Sequence, residues 1–397
     1  MASRLVTTMA TDSELPRPPC PWMTESHREW RRQVRRFVGD KIMPFVDDWE
    51  EAGRIPESLF HDAAEFGLLQ VGYPERYGGV SEGIDGFHRL IVAEELARTG
   101  AGGVNASLMV HGIALPPLLA GGPEPLRAAI APKVLAGEQH MSLAITEPGG
   151  GSDVAAIRTR AVAEDNHYLV DGEKTFITGG MRADYLTTAV RTGEGYDGIS
   201  LLLIPADADG VSRTELERKQ GWWSSDTATI HFDGVRVPRE HLIGTEGAGF
   251  ALIMKNFNGE RLAMAGGANA AARVCVEDAL AWARQRHTFG RRLADHQVIR
   301  HKIVEMLRRV NATQAYLEHC IRRVDQGETP AADLAMLKVQ ATLTMEFCAR
   351  EAMQILGGAG YLRGSRIERI YREVRVNAIG GGSEEIMRDL AARQLGL

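Results

Sequence analysis

The stretch MSLAITEPGGGSDVAAI, residues 141–157, decides the fold, because the periodicity of the chain changes there. Before it, from Thr24 to about Leu135, apolar residues recur at helical spacing. Trp30, Val34 and Phe37 fall at i, i+4 and i+7, Pro56 opens and Gly67 closes ESLFHDAAEFG, and Phe87, Leu90, Ile91 and Glu94 continue the period up to Gly100. From MSLAIT onward the segments HYLV, EKTFIT, YLTTAV, ISLLLI and TATIHF are short, rich in β-branched residues and separated by turn signals. Asp171-Gly172 and Asp233-Gly234 read as tight turns. Connections this short leave no room for helical crossovers, so the segment is expected to be a mostly antiparallel β domain. After Ala248 the helical period returns over roughly 248–285, 295–325 and 331–356, with Gly327, Thr329 and Pro330 as stop and restart. The small-residue stripe Ala265, Gly266, Gly267, Ala268, Ala271 and Ala272 suits close packing against a neighbouring helix or another subunit. The fold expected is α+β: a flexible leader over 1–22, an N-terminal α-helical domain over 23–140, a middle antiparallel β domain over 141–245 and a C-terminal helical bundle over 246–397.

Composition narrows the function. With 397 residues, 44% hydrophobic and 25% charged, the chain can bury a large core and reads as soluble, with no run near the ~18 apolar residues of a membrane span. A net charge of -6 removes the basic footprint of a nucleic-acid binder. Cys20, Cys275, Cys320 and Cys348 form no CxxC pair, and the histidines make no metal-binding helical pair, so no metal site is expected. The leader lacks a secretory apolar core and carries Asp12 and Glu14, which points to the cytoplasm. No GxGxxG follows a strand, and GxxxxGK[ST], HExxH and GxSxG are absent.

What remains is a set of polar, glycine-rich islands. AITEPGGGSDVAAI ends a strand and offers Thr146, Ser152 and a backbone that a bulky anionic ligand can approach closely, since glycine has no Cβ to block it. EKTFITGG presents Phe176 and Thr178 at a strand end. RQRHTFGRRLADHQ, residues 284–297, breaks a helix at Gly290 and collects Arg286, Arg291 and Arg292, which could meet phosphates or simply face solvent.

Taken in order, TEPGGGSD, KTFITGG, RHTFGRRLADHQ, QILGGAGY and GGGSEEIMRDL resemble five motifs of the acyl-CoA dehydrogenase family at matching spacing, from about residue 24 to the end. The resemblance implies a helical domain, a β domain and a four-helix bundle, in a homotetramer that binds FAD between subunits. It further implies that Leu143, Ile145, Thr146, Gly151 and Ser152 line the flavin and the mouth of the CoA site, with Thr146 bonded to the pyrimidine edge of the ring. Phe176 stands where the family commonly has Trp and would shield the flavin face, next to Ile177, while Thr178 approaches N5. A neighbouring subunit would supply Arg286, Gln297, Gln354 and Gly358 to the adenosine diphosphate, with Phe289 packing nearby. Ser383 and Glu385 would also contact FAD.

The same resemblance places the catalytic base. Many members carry it at the position that is Gly381 here, whereas the isovaleryl- and long-chain-like branches carry it on a bundle helix, where this chain has Glu260 in NFNGERLAMAGG. A carboxylate buried beside Phe257 and Leu262 should have a raised pKa, which suits a general base. The implied reaction desaturates an acyl-CoA to the trans-2-enoyl-CoA: Glu260 takes the Cα proton, hydride leaves Cβ for flavin N5, and the Gly381 N–H stabilises the thioester oxygen. Asn258, Arg261 and Ser152, with Gly380, Gly381 and Gly382, would hold the substrate. Gly380 stands where straight-chain members have Tyr, which favours a medium or 3-methyl-branched chain, with a straight long chain as the alternative. The acceptor implied is electron-transferring flavoprotein. A protein of this fold that passes electrons to oxygen, or that performs other chemistry on a CoA thioester, stays open.

Overall fold

The computed structural model describes Leu15 and residues 17–397; the expected leader lies outside the described residues over 1–14 and at 16. Among the described residues seven α-helices come first: α1 (Glu25–Lys41), α2 (Val46–Ala52), α3 (Glu57–Phe66), α4 (Gly86–Ala97), α5 (Gly102–Leu108), α6 (His111–Gly121) and α7 (Glu124–Leu135). The strands β1 (Met141–Ala144), β2 (Arg160–Ala163), β3 (His167–Thr178), β4 (Tyr185–Arg191), β5 (Ile199–Pro205), β6 (Val211–Glu215), β7 (Thr227–Pro238) and β8 (Leu242–Ile243) follow. The long α8 (Gly249–Gln285), a hairpin of β9 (His287–Thr288) and β10 (Arg291–Arg292), then α9 (Gln297–Asp325), α10 (Ala331–Leu356), α11 (Arg366–Ile379) and α12 (Glu384–Gln394) complete the chain. This is the three-domain order of helices, sheet and helices that the sequence predicts.

Packing groups the chain into two units, residues 48–84 with 103–260, and residues up to 47 with 85–102 and 261–397. The first holds the sheet, ordered β6-β7-β3-β2-β4-β5-β8, with β1 paired to β4. Most ladders are antiparallel as expected, but β1 and β2 both run parallel to β4. One sheet face buries Val170, Ile177, Leu186, Ile204 and Ile230; Leu201, Leu203 and Ile199 on the other pack with Leu115 and Leu118 of α6 and Val134 of α7. A correction concerns the two Asp-Gly pairs. They are not turns: both lie inside the twelve-residue strands β3 and β7, where Gly172 has φ 145° and Gly234 φ 59°, and the register shifts between Val170 and Gly172. The Asp171 carboxylate accepts the Gly234 N–H at 2.8 Å, so the two pairs join as facing irregularities of one long ladder.

The second unit is the bundle with α1 and α4 laid on it. Gly266 lets α8 approach α4 closely, since a Cβ would lie 2.7 Å from Leu90 Cδ1 and push that side chain aside. The α9 and α10 helices run antiparallel, with Thr313 Oγ1 3.1 Å from Thr344 Oγ1 and Cys348 Sγ 3.8 Å from the Met306 carbonyl, so Gln297 and Gln354 share one end. Glu94 of α4 is buried between Arg31 at 2.5 Å and Arg17 at 2.6 Å. All four cysteines are free thiols. The stretch 102–121 is long and apolar enough for a membrane span, but it is broken between α5 and α6 and 56% buried inside the protein.

Candidate active site

The loop after β1 is built by a buried ion pair. Lys174 of β3, fully buried, donates to the Ile145 carbonyl at 3.0 Å and to Glu147 Oε1 at 2.8 Å. Glu147 also accepts the N–H groups of Arg158 at 2.6 Å and Thr159 at 2.8 Å. Burial would raise the Glu147 carboxyl, but the Lys174 ammonium and the Thr159 donors hold it below the usual carboxylate range; burial brings Lys174 down to about 8, which leaves the pair ionised at neutral pH. The Thr175 N–H donates to the Thr146 carbonyl at 2.8 Å, and Ser142 Oγ donates to the Thr178 carbonyl at 2.8 Å. TEPGGGS is thereby stitched to the end of β3.

At that point β3 is irregular. The register shifts between Lys174 and Ile177, and Phe176 has φ 58°, the left-handed region that an aromatic residue enters only when its surroundings over-determine it. Its ring is 70% exposed, while Lys174, Thr175 and Ile177 are buried. Strain that presents an aromatic face outward, beside the half-buried Thr146 and Thr178, fits the face and edge of a flavin. Leu143 is half-buried, and Gly151 and Ser152 are exposed on the loop. Ile145 and Ile177 have core side chains, which leaves their backbone for a ligand.

In the bundle unit, Gly380, Gly381 and Gly382 form a turn between α11 and α12. Gly381 has φ 66° and Gly382 φ 111°, which favour glycine; Gly380 has φ -62° and ψ 150°, which any residue adopts. The buried Arg261 donates from Nε to the Gly381 carbonyl at 3.3 Å. Lys338 of α10, also fully buried, donates to the Ala378 carbonyl at 2.9 Å and the Gly382 carbonyl at 2.7 Å. Ser383 caps α12 through the Ile386 N–H at 3.4 Å, and Glu385 is exposed, its carboxyl lowered by its own N–H and by Ser383.

The shared end of the bundle helices carries exposed Arg286, Gln297, Gln354 and Gly358. The hairpin there turns through Phe289 at φ 50° and Gly290 at φ 78°, leaving Phe289 97% exposed. A cationic, amide-bearing end with a protruding aromatic ring suits a dinucleotide's phosphates. On α8, Asn258 and Glu260 are half-buried, and Glu260 Oε2 is shielded from solvent. Asn256 anchors that part of the helix to the Ile113 carbonyl at 2.8 Å.

Sequence reasoning missed Glu147, Lys174 and Lys338. The one metal-like cluster among the described residues, His27, Asp85 and His88, is a pair of joined helix caps. The Thr24 N–H donates to His27 Nδ1 at 3.0 Å, so the proton sits on Nε2, which gives it to Asp85 Oδ1 at 2.9 Å. A metal at Nε2 would need the opposite tautomer.

A sheet unit with a strained, outward-facing aromatic beside a glycine-rich loop, and helices before and after it in the chain, is a frame suited to a flavin-dependent oxidoreductase. Comparison with known proteins gives the family. Models of the N-terminal, middle and C-terminal domains of acyl-CoA dehydrogenase match residues 24–138, 142–235 and 247–396. The chain is similar to acyl-CoA dehydrogenase AFT10-1 of Alternaria alternata, 40% identical over 93% of this chain and 91% of the relative. It is similar to the mitochondrial long-chain specific acyl-CoA dehydrogenase of Rattus norvegicus, 32% identical over 94% of this chain and 87% of that one. A probable acyl-CoA dehydrogenase from Mycobacterium abscessus superposes with a TM-score of 0.92 at 44% identity, over 94% of this chain and 100% of the other. The chain belongs to the acyl-CoA dehydrogenase family, FAD-dependent oxidoreductases that act on the CH–CH bond of an acyl-CoA.

Proposed function

We propose that the chain desaturates a medium-length or 3-methyl-branched acyl-CoA to the trans-2-enoyl-CoA, with Glu260 as the base. Two observations support this reading, each within its own unit: a glycine turn that bears no carboxylate at Gly381, and a shielded carboxylate oxygen at Glu260. Bound FAD supplies the hydride acceptor of the family's chemistry. The chain's own part is to take the Cα proton at Glu260 and to hold the thioester through Ser152, Asn258, Arg261 and the Gly380–Gly382 turn, with the Gly381 N–H toward the oxygen. Phe176 and the half-buried Thr146 and Thr178 would hold the ring, and the Arg286, Gln297, Gln354, Gly358 end of a second copy would take the diphosphate. The exposure of Phe289, Tyr361 and Val304 supports such an assembly, a homotetramer.

The branched-chain reading is supported at Gly380. Its torsions do not require glycine, and beyond a tight approach to the Val376 carbonyl at 3.2 Å a Cβ there would meet only Met264 Cε at 3.7 Å, so the absent side chain leaves space on that side. The likeness to a long-chain specific relative favours a straight long chain as the second reading. Electron-transferring flavoprotein is the acceptor proposed, in the cytoplasm, in fatty-acyl breakdown. The test is to give the FAD-loaded protein matched straight and 3-methyl-branched thioesters, with electron-transferring flavoprotein or oxygen as acceptor. A product two hydrogens lighter, formed faster from the branched thioester and only with the protein acceptor, is expected. Saturated thioester recovered unchanged from every mixture would refute the reading.

A further inference from the structure

We infer that Lys338 is the positioning residue that fixes the amide direction of the Gly380–Gly382 turn, and hence the thioester's acidity. The inference rests on the proposed role of that turn. Lys338 clamps both ends of a five-residue segment, the Ala378 carbonyl and the Gly382 carbonyl, from the buried interior of α10. Between those ends the Gly380 N–H is bonded to the Val376 carbonyl at 2.8 Å, and the Gly381 carbonyl to Arg261 at 3.3 Å. The Gly381 N–H lies between these two anchors, in the peptide that joins Gly380 to Gly381. Two consecutive glycines at positive φ have no side chains to restrict them, so the turn has no stiffness of its own. Its direction comes from the cations that hold its carbonyls. An N–H set in advance toward a developing enolate oxygen lowers the barrier to α-deprotonation, whereas one free to turn must be ordered during the reaction.

A buried lysine could instead serve stability alone, and the test separates the two. Lys338→Met and Lys338→Gln are purified with FAD, their flavin content and melting are measured, and two reactions are followed. One is turnover of an acyl-CoA. The other is exchange of the α-protons of a 3-thia-acyl-CoA with solvent deuterium, read by NMR; that thioester can lose an α-proton but has no hydride to give. We expect both variants to keep their FAD, with exchange and kcat each falling on the order of 10- to 100-fold, KM changing little, and Lys338→Gln retaining more than Lys338→Met because it keeps a donor. Wild-type exchange in a folded, yellow Lys338→Met, or a rise in KM alone, overturns the inference. If Lys338→Met does not fold, Lys338→Gln alone decides by the same criteria. Should the wild-type protein itself exchange no α-protons while Lys338→Gln matches it, the failure lies with the proposed function and not with the lysine.

Discussion

At Gly381 and Gly380 the backbone separates what the sequence leaves joined. A run of three glycines does not say which of them bends the chain and which makes room. The torsions do: Gly381 and Gly382 have positive φ, and Gly380 does not. Two expectations follow. In a Glu260→Gln background, Gly381→Glu should restore part of the lost turnover, with recovery limited because a side chain at φ 66° costs about 1–2 kcal/mol. Steady-state assay of the double variant checks it, and no recovery in a folded, FAD-loaded protein would mean that the two positions do not address the same carbon. Gly380→Tyr should depress kcat/KM for a branched thioester more than for its straight isomer, by the roughly 1–3 kcal/mol that one methyl can discriminate. Equal losses would assign that glycine to the backbone after all. The family motifs are what single out Thr146, Phe176 and Arg286 as candidates. Lys174 and Lys338 were not, because a lysine in a pattern reads as surface, and only the carbonyls that meet it reveal that it is buried.

Among the elements, helices were read closely because caps mark their ends: Pro56 and Gly67 flank α3, and Gly327 with Pro330 separates α9 from α10. The strands were read too short. Aspartate-glycine looks the same in a hairpin turn and in a bulge, and only pairing over long sequence separation tells them apart, as Asp171 does in binding the Gly234 N–H. Alternation failed at the second irregularity of β3, where Lys174 and Thr175 are buried in succession and Phe176 is turned out. The two bulge glycines should answer differently to substitution. Gly172→Ala would place a Cβ 2.6 Å from Thr159 Cα, so a loss of roughly 1–3 kcal/mol or more is expected. At Gly234 the nearest atom is Leu169 Cδ1 at 4.0 Å, so Gly234→Ala should cost only its backbone strain, about 1 kcal/mol. Urea unfolding of the two variants checks the order, and a larger loss at Gly234 would contradict it.

For the molecule as a whole, stability and chemistry both rest on buried charge. Burial would raise the Glu94 carboxyl, but Arg17 and Arg31 hold it at about 2, well under its ordinary 4.5. A depressed carboxylate contributes fully above its unfolded pKa and is lost as pH falls through the folded one. Acid should therefore remove on the order of 3 kcal/mol between pH 4.5 and about 2. Glu147 titrates in the same direction, so acid should loosen the TEPGGGS loop as well. Denaturant melts of the wild-type protein and Glu94→Gln across that range check the sign, since the variant should lose much of the slope. The central claim is that this FAD enzyme starts its reaction by proton removal at Glu260. Its most direct test is anaerobic mixing of the FAD-loaded protein and its Glu260→Gln variant with excess acyl-CoA, watching the flavin bleach in a single turnover. The account predicts rapid bleaching in the wild-type protein and a rate lower by roughly 10²- to 10⁴-fold in the variant at equal flavin content; bleaching of Glu260→Gln at the wild-type rate would contradict it.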